Sequence, residues 1–242
     1  MTELKLTVIG ENSGCPQPGG ATSCYLLTYG NERLVLDLGS GALSRLMSAV
    51  DFDSVNDIIL THGHADHTAD AGVAVYSRLI SDQLGRSVSP LHFHLPQPEL
   101  VMDSDYAVKT LIDENLTEQI GSFSVSYLRT EHSVPTYAVK VTAGGKTVCY
   151  TADGALNERL AAFSSGADLL LSECSFYPGK GSRSAGHMRA EDVLQLARQA
   201  QPGLLVMTHL PVYGDRKEIL SFVKKDWEGS AMLASPLLEV CL

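Results

Sequence analysis

Four side chains that can bind a metal ion fall within six consecutive residues of this chain, directly after a short apolar segment. The segment at 57–61 is typical of a buried strand, and the four side chains are His62, His64, Asp66 and His67. Imidazole and carboxylate are ligands that zinc and similar metals favour, and four of them in one loop suggest that two metals share it. The fold must therefore hold this loop rigidly, at the end of a buried strand.

A simpler interpretation of the same loop needs no metal. Asp66 would cap the N-terminus of the following helix, and the histidines would be satisfied by backbone groups. Three closely spaced histidines beside an aspartate need a stronger cause than capping, so we prefer the metal-binding hypothesis.

Three later residues, His132, Asp153 and His209, each follow a strand-like segment. Singly, each would be an ordinary turn residue or a satisfied polar group. Their repeated placement after strands, together with the loop at 62–67, favours ligation instead.

Strand-like and helix-like segments alternate through the chain without a long linker. Both halves contain several strands, although no clear sequence repeat relates them. We therefore expect one layered α/β (or α+β) domain spanning residues 1–242. The predicted strands are 4–9, 23–28, 33–38, 57–61, 90–95, 123–128, 137–141, 146–150, 168–172 and 203–208, and the predicted helices are 42–50, 67–84, 156–164, 188–200 and 215–226. Short strands are predicted to follow the last helix.

Composition narrows the function classes. The net charge of −10 disfavours broad, non-specific binding to nucleic acid but allows a nucleic-acid substrate at a cationic metal site. No segment is apolar for long enough to cross a bilayer, and the N-terminus reads as a strand without the features of a signal peptide, so we expect a cytoplasmic protein with no membrane partner. The five cysteines are scattered and should be reduced, and none has metal-ligand spacing.

The H-x-H-x-D-H run at 62–67, followed in order by His132, Asp153 and His209, resembles the metallo-β-lactamase superfamily over nearly the whole chain. The resemblance implies a four-layer αββα sandwich with a dinuclear site at one edge. It implies that His62, His64 and His132 hold one metal, that Asp66, His67 and His209 hold the other, and that Asp153 bridges them. The two divalent ions would be zinc, although such ligands also accept manganese, iron or cobalt.

Three more residues resemble the ribonuclease Z and phosphodiesterase branch of this superfamily. Asp37 lies where relatives place a carboxylate that orients a ligand histidine, or else it is a turn-forming aspartate before Gly39. His187 lies where the branch has a general acid, and Glu173 where a glutamate pairs with that histidine. Helix capping or a surface ion pair is the alternative for Glu173 and His187.

The hypothesis that follows is metal-assisted phosphodiester hydrolysis, in which Asp66 orients the attacking water and His187, held by Glu173, protonates the leaving oxygen. Ribonuclease Z carries its transfer-RNA-gripping arm between the ligands that match His132 and Asp153. Only 20 residues lie between those two here, and a predicted hairpin uses nearly all of them. A cyclic nucleotide or short oligonucleotide is therefore a better candidate than transfer RNA, although a nucleotide or RNA substrate of some kind is expected.

Two other functions stay open. The same metal pair could hydrolyse a lactone, thioester or other carboxylic ester, with Tyr177 or Tyr213 stabilising the oxyanion. A metal- or nucleotide-binding module without catalysis is less favoured because the ligand set is intact.

His92 and His94 have no nearby carboxylate in the sequence and are interpreted as structural. Ribonuclease Z relatives are commonly dimers, so the resemblance also implies a homodimer.

Overall fold

The structure is a computed structural model that describes residues 2–86, 88–181 and 186–242. The chain divides into two compact units, the first comprising residues up to 112 together with 235–241, and the second comprising 113–234 with 242. Each unit contains one seven-stranded sheet and flanking helices, which confirms the α/β prediction. The assignment of 1–242 as a single domain stays a prediction.

The first unit is a mixed sheet in the order β14-β1-β2-β3-β4-β5-β6. Strands β14, β1, β2 and β3 are antiparallel neighbours, and β3 to β6 run parallel. Residues of α1, α3 and one face of this sheet form a buried apolar cluster. The strands are β1 (Leu4–Gly10), β2 (Cys24–Tyr29), β3 (Glu32–Leu36), β4 (Asp57–Ile59), β5 (Leu91–Leu95), β6 (Ala107–Leu111) and β14 (Glu239–Cys241), and the helices are α1 (Ala42–Ala49), α2 (Ala65–Thr68) and α3 (Ala71–Gln83).

The second unit is a mixed sheet in the order β13-β12-β11-β10-β9-β8-β7. Strands β7 to β10 are antiparallel neighbours, and β10 to β13 run parallel. Its three helices contribute to a second buried apolar cluster. The strands are β7 (Thr117–Ile120), β8 (Phe123–Arg129), β9 (Tyr137–Ala143), β10 (Lys146–Tyr150), β11 (Leu169–Glu173), β12 (Leu204–Thr208) and β13 (Ser230–Leu233), and the helices are α4 (Glu158–Ser164), α5 (Ala190–Ala200) and α6 (Lys217–Asp226).

Both sheets therefore have the same construction, an antiparallel set followed by a parallel set. The sequence shows no repeat between the halves, but the strand order repeats. In each unit an aspartate follows the strand at which the pairing changes direction, Asp37 after β3 and Asp153 after β10. In each unit, a polar loop with an aspartate therefore follows the carboxyl end of the strand at which the pairing changes from antiparallel to parallel.

The prediction of one helix over 67–84 is wrong, because the chain leaves the helical path at Asp70. The backbone N–H of Asp70 donates to the carbonyl of Leu38, and its carboxylate accepts from the backbone N–H of Leu43 at the start of α1. The backbone N–H and the carboxylate of Asp70 therefore bond to other elements, while its carbonyl accepts from the backbone N–H of Ala74 in the first turn of α3. As a result, α2 and α3 form as separate helices.

Two strands, β6 and β7, were not predicted from the sequence. Each lies at the outer edge of its sheet and is only partly buried. An edge strand has neighbours on one side alone, so its sequence need not alternate between apolar and polar residues. The hydrophobic pattern that identifies inner strands is consequently weak in both.

The buried cysteines behave as small apolar side chains. Cys24 lies in the cluster of the first unit, and Cys149 and Cys174 lie in that of the second. Burial raises the pKa of the Cys149 thiol to about 11 and raises the pKa of Cys24 and Cys174 as well. These thiols therefore stay protonated near neutral pH and are poor metal ligands.

Among the residues that the structure describes, the longest helix is the 13-residue α3. Within the described part of the chain, no helix has the length and apolar character needed to cross a bilayer.

Candidate metal centre

The segment at 62–67 runs from the loop after β4 into α2, and the Asp66 side chain does not cap that helix. The N-cap of α2 is His64, whose side chain makes no capping hydrogen bond, and Asp66 lies inside the first turn. The Asp66 carboxylate instead accepts a 2.8 Å hydrogen bond from the backbone N–H of Gly14. The capping interpretation of this loop is therefore wrong.

Asp37 is the residue that fixes the ring of His67. Both side chains are fully buried, and Asp37 Oδ2 lies 2.7 Å from His67 Nδ1. A carboxylate accepts only, so Nδ1 carries the proton and Nε2 is the nitrogen that would bind a metal. Asp37 adopts a left-handed backbone conformation, with a φ of 58°, which is uncommon for a residue other than glycine.

The same carboxylate also positions His62, through a hydroxyl group. Thr61 donates its backbone N–H and its Oγ1 hydroxyl to Asp37, at 2.8 and 2.9 Å from Oδ1. Because the Thr61 proton goes to Asp37, the hydroxyl oxygen accepts from His62 Nδ1, 3.0 Å away. His62 is thereby held with Nε2 as its ligand atom. Asp37 thus contacts His67 directly and His62 through Thr61, and the role of these two histidines as metal ligands stays a prediction.

The ring nitrogens of His62 and His64 converge on one point. His62 Nε2 lies 3.1 Å from His64 Nδ1. Two ligand nitrogens at the usual zinc distance in a tetrahedral site are about 3.3 Å apart. The distance between these two ring nitrogens is therefore close to the distance between two ligands of one ion.

In the second unit, the carboxylate of Asp153 lies between two histidines that come from different strand ends. Oδ2 is 3.9 Å from His132 Nε2, and Oδ1 is 3.6 Å from His209 Nε2. All three side chains are nearly fully buried. One oxygen faces each imidazole, and that is the arrangement expected of a carboxylate that bridges two ions.

Each of these two histidines is oriented through Nδ1. His132 Nδ1 donates to the carbonyl of Gly186 at 2.8 Å, and His209 Nδ1 lies 2.8 Å from the hydroxyl of Ser175. In both cases Nε2 is the nitrogen that would bind a metal, as in His62 and His67. A common tautomer among histidines from separate loops is expected if all of them serve metal ions.

Ser175 contacts the candidate site residues Glu173 and His209, and the sequence did not single it out. Its hydroxyl donates to Glu173 Oε2 at 2.5 Å, and it therefore accepts from His209 Nδ1. A serine two residues after a strand has no spacing signal of its own. Its contact with His209, 34 residues away in the chain, depends on the parallel pairing of β11 with β12.

Glu173 and His187 form the contact that the resemblance implied. Glu173 Oε1 lies 3.2 Å from His187 Nδ1 and accepts the backbone N–H of Gly154 at 2.8 Å. Glu173 is fully buried, so a surface ion pair is the wrong description. Neither residue caps α5, whose N-cap is Arg189. The role of His187 as an acid stays a prediction.

The His187 ring is a fifth exposed and also approaches the carboxylate of Asp153, at 3.9 Å from Nδ1 to Oδ2. Asp153, His187 and His209 each offer a donor atom within 4.8 Å of the others. The geometry of the second unit therefore allows His187 to act as a further ligand, which the resemblance did not imply.

The family comparison agrees with this geometry. A family model described as a beta-lactamase superfamily domain matches residues 33–210, a range that contains every candidate ligand. The chain belongs to the beta-lactamase superfamily.

Among relatives in this superfamily, the probable metallo-hydrolase YhfI of Bacillus subtilis is 35% identical, and the alignment covers 96% of this chain and 97% of that protein. Its crystal structure superposes with a TM-score of 0.95 at 32% identity, over 99% of both chains. The chain is thus a hydrolytic enzyme, a metallo-hydrolase with the metallo-β-lactamase fold that the sequence motifs implied.

More distant members show similar coverage. Ribonuclease Z of Archaeoglobus fulgidus is 22% identical, with 94% of each chain aligned. The structure of Zn²⁺-bound PqqB from Methylobacterium extorquens has a TM-score of 0.75 at 17% identity, over 98% of this chain and 100% of that one. At a sequence identity of 17%, this structural similarity shows a shared fold and nothing further.

The donor set of this superfamily member fits divalent metal ions. Imidazole and carboxylate donors dominate, and each of the oriented histidines holds its Nδ1 proton on a neighbouring acceptor. Left-handed backbone at Asp37, Ala152 and His209 shows that the surrounding structure enforces these positions against local preference.

Proposed function

We propose that this enzyme is a dinuclear metal-dependent phosphodiesterase acting on a small phosphodiester, such as a cyclic nucleotide or a short oligonucleotide. The observation that carries the proposal is the contact of the buried Glu173 with the partly exposed His187, beside Asp153. It provides a candidate proton donor next to the bridging carboxylate. A phosphodiester with an alkoxide leaving group needs such a donor, because an alkoxide departs poorly without a proton.

The metal ligands in this proposal follow the family order. His62, His64 and His132 would hold one ion, Asp66, His67 and His209 the other, and Asp153 both. Zinc is the proposed metal because imidazoles dominate the set and because PqqB, a structural neighbour, binds Zn²⁺. When bound, the two ions supply positive charge that offsets the charge developing on phosphoryl oxygens, and they lower the pKa of water.

The remaining chemistry belongs to side chains of this protein. His187 carries its transferable proton on Nε2, because Glu173 accepts from Nδ1 and stabilises the protonated ring. That proton goes to the leaving oxygen as the bond to phosphorus breaks. Asp66, anchored by the backbone N–H of Gly14, would orient the attacking water.

A small substrate is proposed because the chain between His132 and Asp153 contains no arm. In that fully described stretch, the strands β9 and β10 and their two-residue turn at 144–145 account for most of the residues. Ribonuclease Z, named among the relatives, is a precedent for phosphodiester chemistry in this family.

The test is turnover of bis(p-nitrophenyl) phosphate compared with a lactone and a thioester, with the zinc-loaded protein and after chelation. We expect metal-dependent hydrolysis of the phosphodiester and much slower hydrolysis of both carbonyl substrates. Faster turnover of a carbonyl substrate would favour the ester-hydrolase alternative, and no turnover of any of them would favour a binding module. Tyr177 and Tyr213 are the two candidate oxyanion donors for the ester reaction, and the hydroxyl of Tyr177 donates to the carbonyl of Tyr213.

A homodimer is part of the proposal, on the strength of the resemblance to ribonuclease Z. Light scattering on the purified full-length chain would give the mass directly, and a monomer at micromolar concentration would count against it.

A further inference from the structure

The first unit contains a second group of metal-ligand side chains, composed of Asp57, His92 and His94, which we call the β4–β5 triad. His92 and His94 alternate along β5, and Asp57 begins β4, directly opposite His92 in the parallel register. The three side chains therefore share one face of the sheet. No carboxylate is near these histidines in the sequence, because Asp57 lies 35 residues before His92.

The distances in the triad match the spacing of ligand atoms around a shared ion, and the contact of His94 Nε2 with Asp57 Oδ1 is a long hydrogen bond. Asp57 Oδ1 lies 3.4 Å from His92 Nδ1 and 3.3 Å from His94 Nε2. An N–H···O hydrogen bond is usually about 2.9–3.0 Å, whereas tetrahedral zinc ligands are about 3.3 Å apart. One donor atom from each residue lies within 4.8 Å of the other two.

The triad also has an orienting partner and a route for a cation. The hydroxyl of Thr110, on β6, lies 2.7 Å from His92 Nε2, which leaves Nδ1 on the side of Asp57. This is the kind of contact that fixes a ligand imidazole. His94 is almost fully buried, but the side chains of His92 and Asp57 are 36% and 25% exposed. An ion could therefore enter from solvent and keep water as its fourth ligand.

The triad is separate from the candidate metal centre. Asp57 and His62 lie at opposite ends of β4 and its extension, and five residues of extended chain span about 16 Å. None of the three residues belongs to the family ligand set, so the triad does not depend on the proposed phosphodiesterase activity.

We propose that the β4–β5 triad binds a divalent transition-metal ion, with zinc as the preferred species. Asp57 contributes a carboxylate oxygen, His92 contributes Nδ1 and His94 contributes Nε2. Two imidazoles, one carboxylate and a water make a four-coordinate set that suits zinc. The full chain then holds one more ion than its catalytic ligands account for.

The experiment compares zinc content at equilibrium. The full-length protein, Asp57→Asn and His92→Gln are dialysed against the same buffered micromolar free zinc, and bound metal is measured by elemental analysis. We expect each variant to hold one zinc per chain fewer than the wild type, with unchanged turnover of bis(p-nitrophenyl) phosphate. Asp103→Asn is the matched control, because Asp103 is an exposed carboxylate of the same unit that pairs with Lys109 instead of a histidine. It should keep the full zinc content.

A second measurement identifies the atoms and does not require any variant to fold. Addition of zinc to the ¹⁵N-histidine-labelled wild type should shift the Nδ1 resonance of His92 and the Nε2 resonance of His94.

Thr110→Val should weaken zinc binding at the triad about 10–100-fold, because it removes the partner of His92. Equal zinc content in wild type, Asp57→Asn and His92→Gln, or unshifted ring nitrogens in His92 and His94, would overturn the proposal.

Discussion

The two units hold their histidines with the same arrangement of carboxylate and hydroxyl, but the histidines differ in kind. In the first unit, Asp37 accepts directly from His67 and is linked to His62 through the Thr61 hydroxyl. Asp37 also accepts the backbone N–H of Thr61. Both histidines belong to the ligand set that the family resemblance implies, so this carboxylate orients candidate metal ligands alone.

In the second unit, the equivalent carboxylate is Glu173. It accepts directly from His187, is linked to His209 through the Ser175 hydroxyl, and accepts the backbone N–H of Gly154. Only His209 is a family ligand. In the second unit, the same arrangement of carboxylate and hydroxyl therefore connects His209, which belongs to the family ligand set, with His187, which does not. His187 is our candidate for the acid.

The largest effect should come from Asp153, whose two oxygens face histidines on different strands. Asp153→Asn keeps the size of the side chain but removes the charge that two cations would share. We expect turnover of bis(p-nitrophenyl) phosphate to be abolished and zinc content to fall, with an unchanged far-UV circular dichroism spectrum. Wild-type activity and zinc content in this variant would show that Asp153 does not bridge.

The second largest effect should come from His187, and it tests whether Glu173 supports proton transfer whereas Asp37 only orients candidate metal ligands. His187→Ala should leave the zinc content unchanged and lower kcat about 10²–10⁴-fold for a substrate with a poor leaving group. A p-nitrophenolate leaving group departs with little help, so bis(p-nitrophenyl) phosphate should suffer less. Glu173→Gln should show the same pattern more weakly.

Two results would contradict this reading of His187. Equal losses for good and poor leaving groups would make it a residue that positions substrate. Loss of zinc from His187→Ala would make it a ligand, as its 3.9 Å approach to Asp153 also allows.

The two hydroxyl links allow a direct comparison between the units. Thr61→Val and Ser175→Ala each remove one link, and each should weaken zinc binding about 10–100-fold, the usual cost of losing a partner that orients a ligand. Chelator competition would measure both affinities. Ser175→Ala should also lower kcat for the poor leaving group, because it disturbs Glu173, whereas Thr61→Val at saturating zinc should not. The control Thr61→Ser keeps the hydroxyl and should retain affinity.

The smallest effect concerns the backbone that orients His132. Gly186 has a φ of 68°, and a Cβ there would lie 3.0 Å from His132 Nδ1. Gly145, in the turn between β9 and β10, has a φ of 76° with open space around it. Both alanine variants should lose about 1–2 kcal/mol of stability in chemical denaturation, because both force alanine into left-handed backbone. Only Gly186→Ala should also lose zinc affinity, and equal affinities would show that its contact with His132 is unimportant.

The sequence alone indicated most of the inner strands and the ligand loop, for a physical reason. Buried strands such as β2, β9 and β12 are bounded by turn residues and rich in apolar side chains, a local signal. The hydrophobic pattern of the edge strands β6 and β7 is weaker. The break between α2 and α3 depends on hydrogen bonds between Asp70 and residues about 30 positions earlier in the chain.

What the sequence by itself determined was the identity of the ligand-type residues and their order, because spacing within one loop and placement after strands are local properties. It also indicated Glu173 and His187, through their resemblance to known relatives. Only the tertiary structure decided that Ser175 joins Glu173 to His209, and that Asp57 meets His92 and His94. Both contacts are made across paired parallel strands, and pairing between distant segments is set by how whole sheets pack, which no short window of sequence contains.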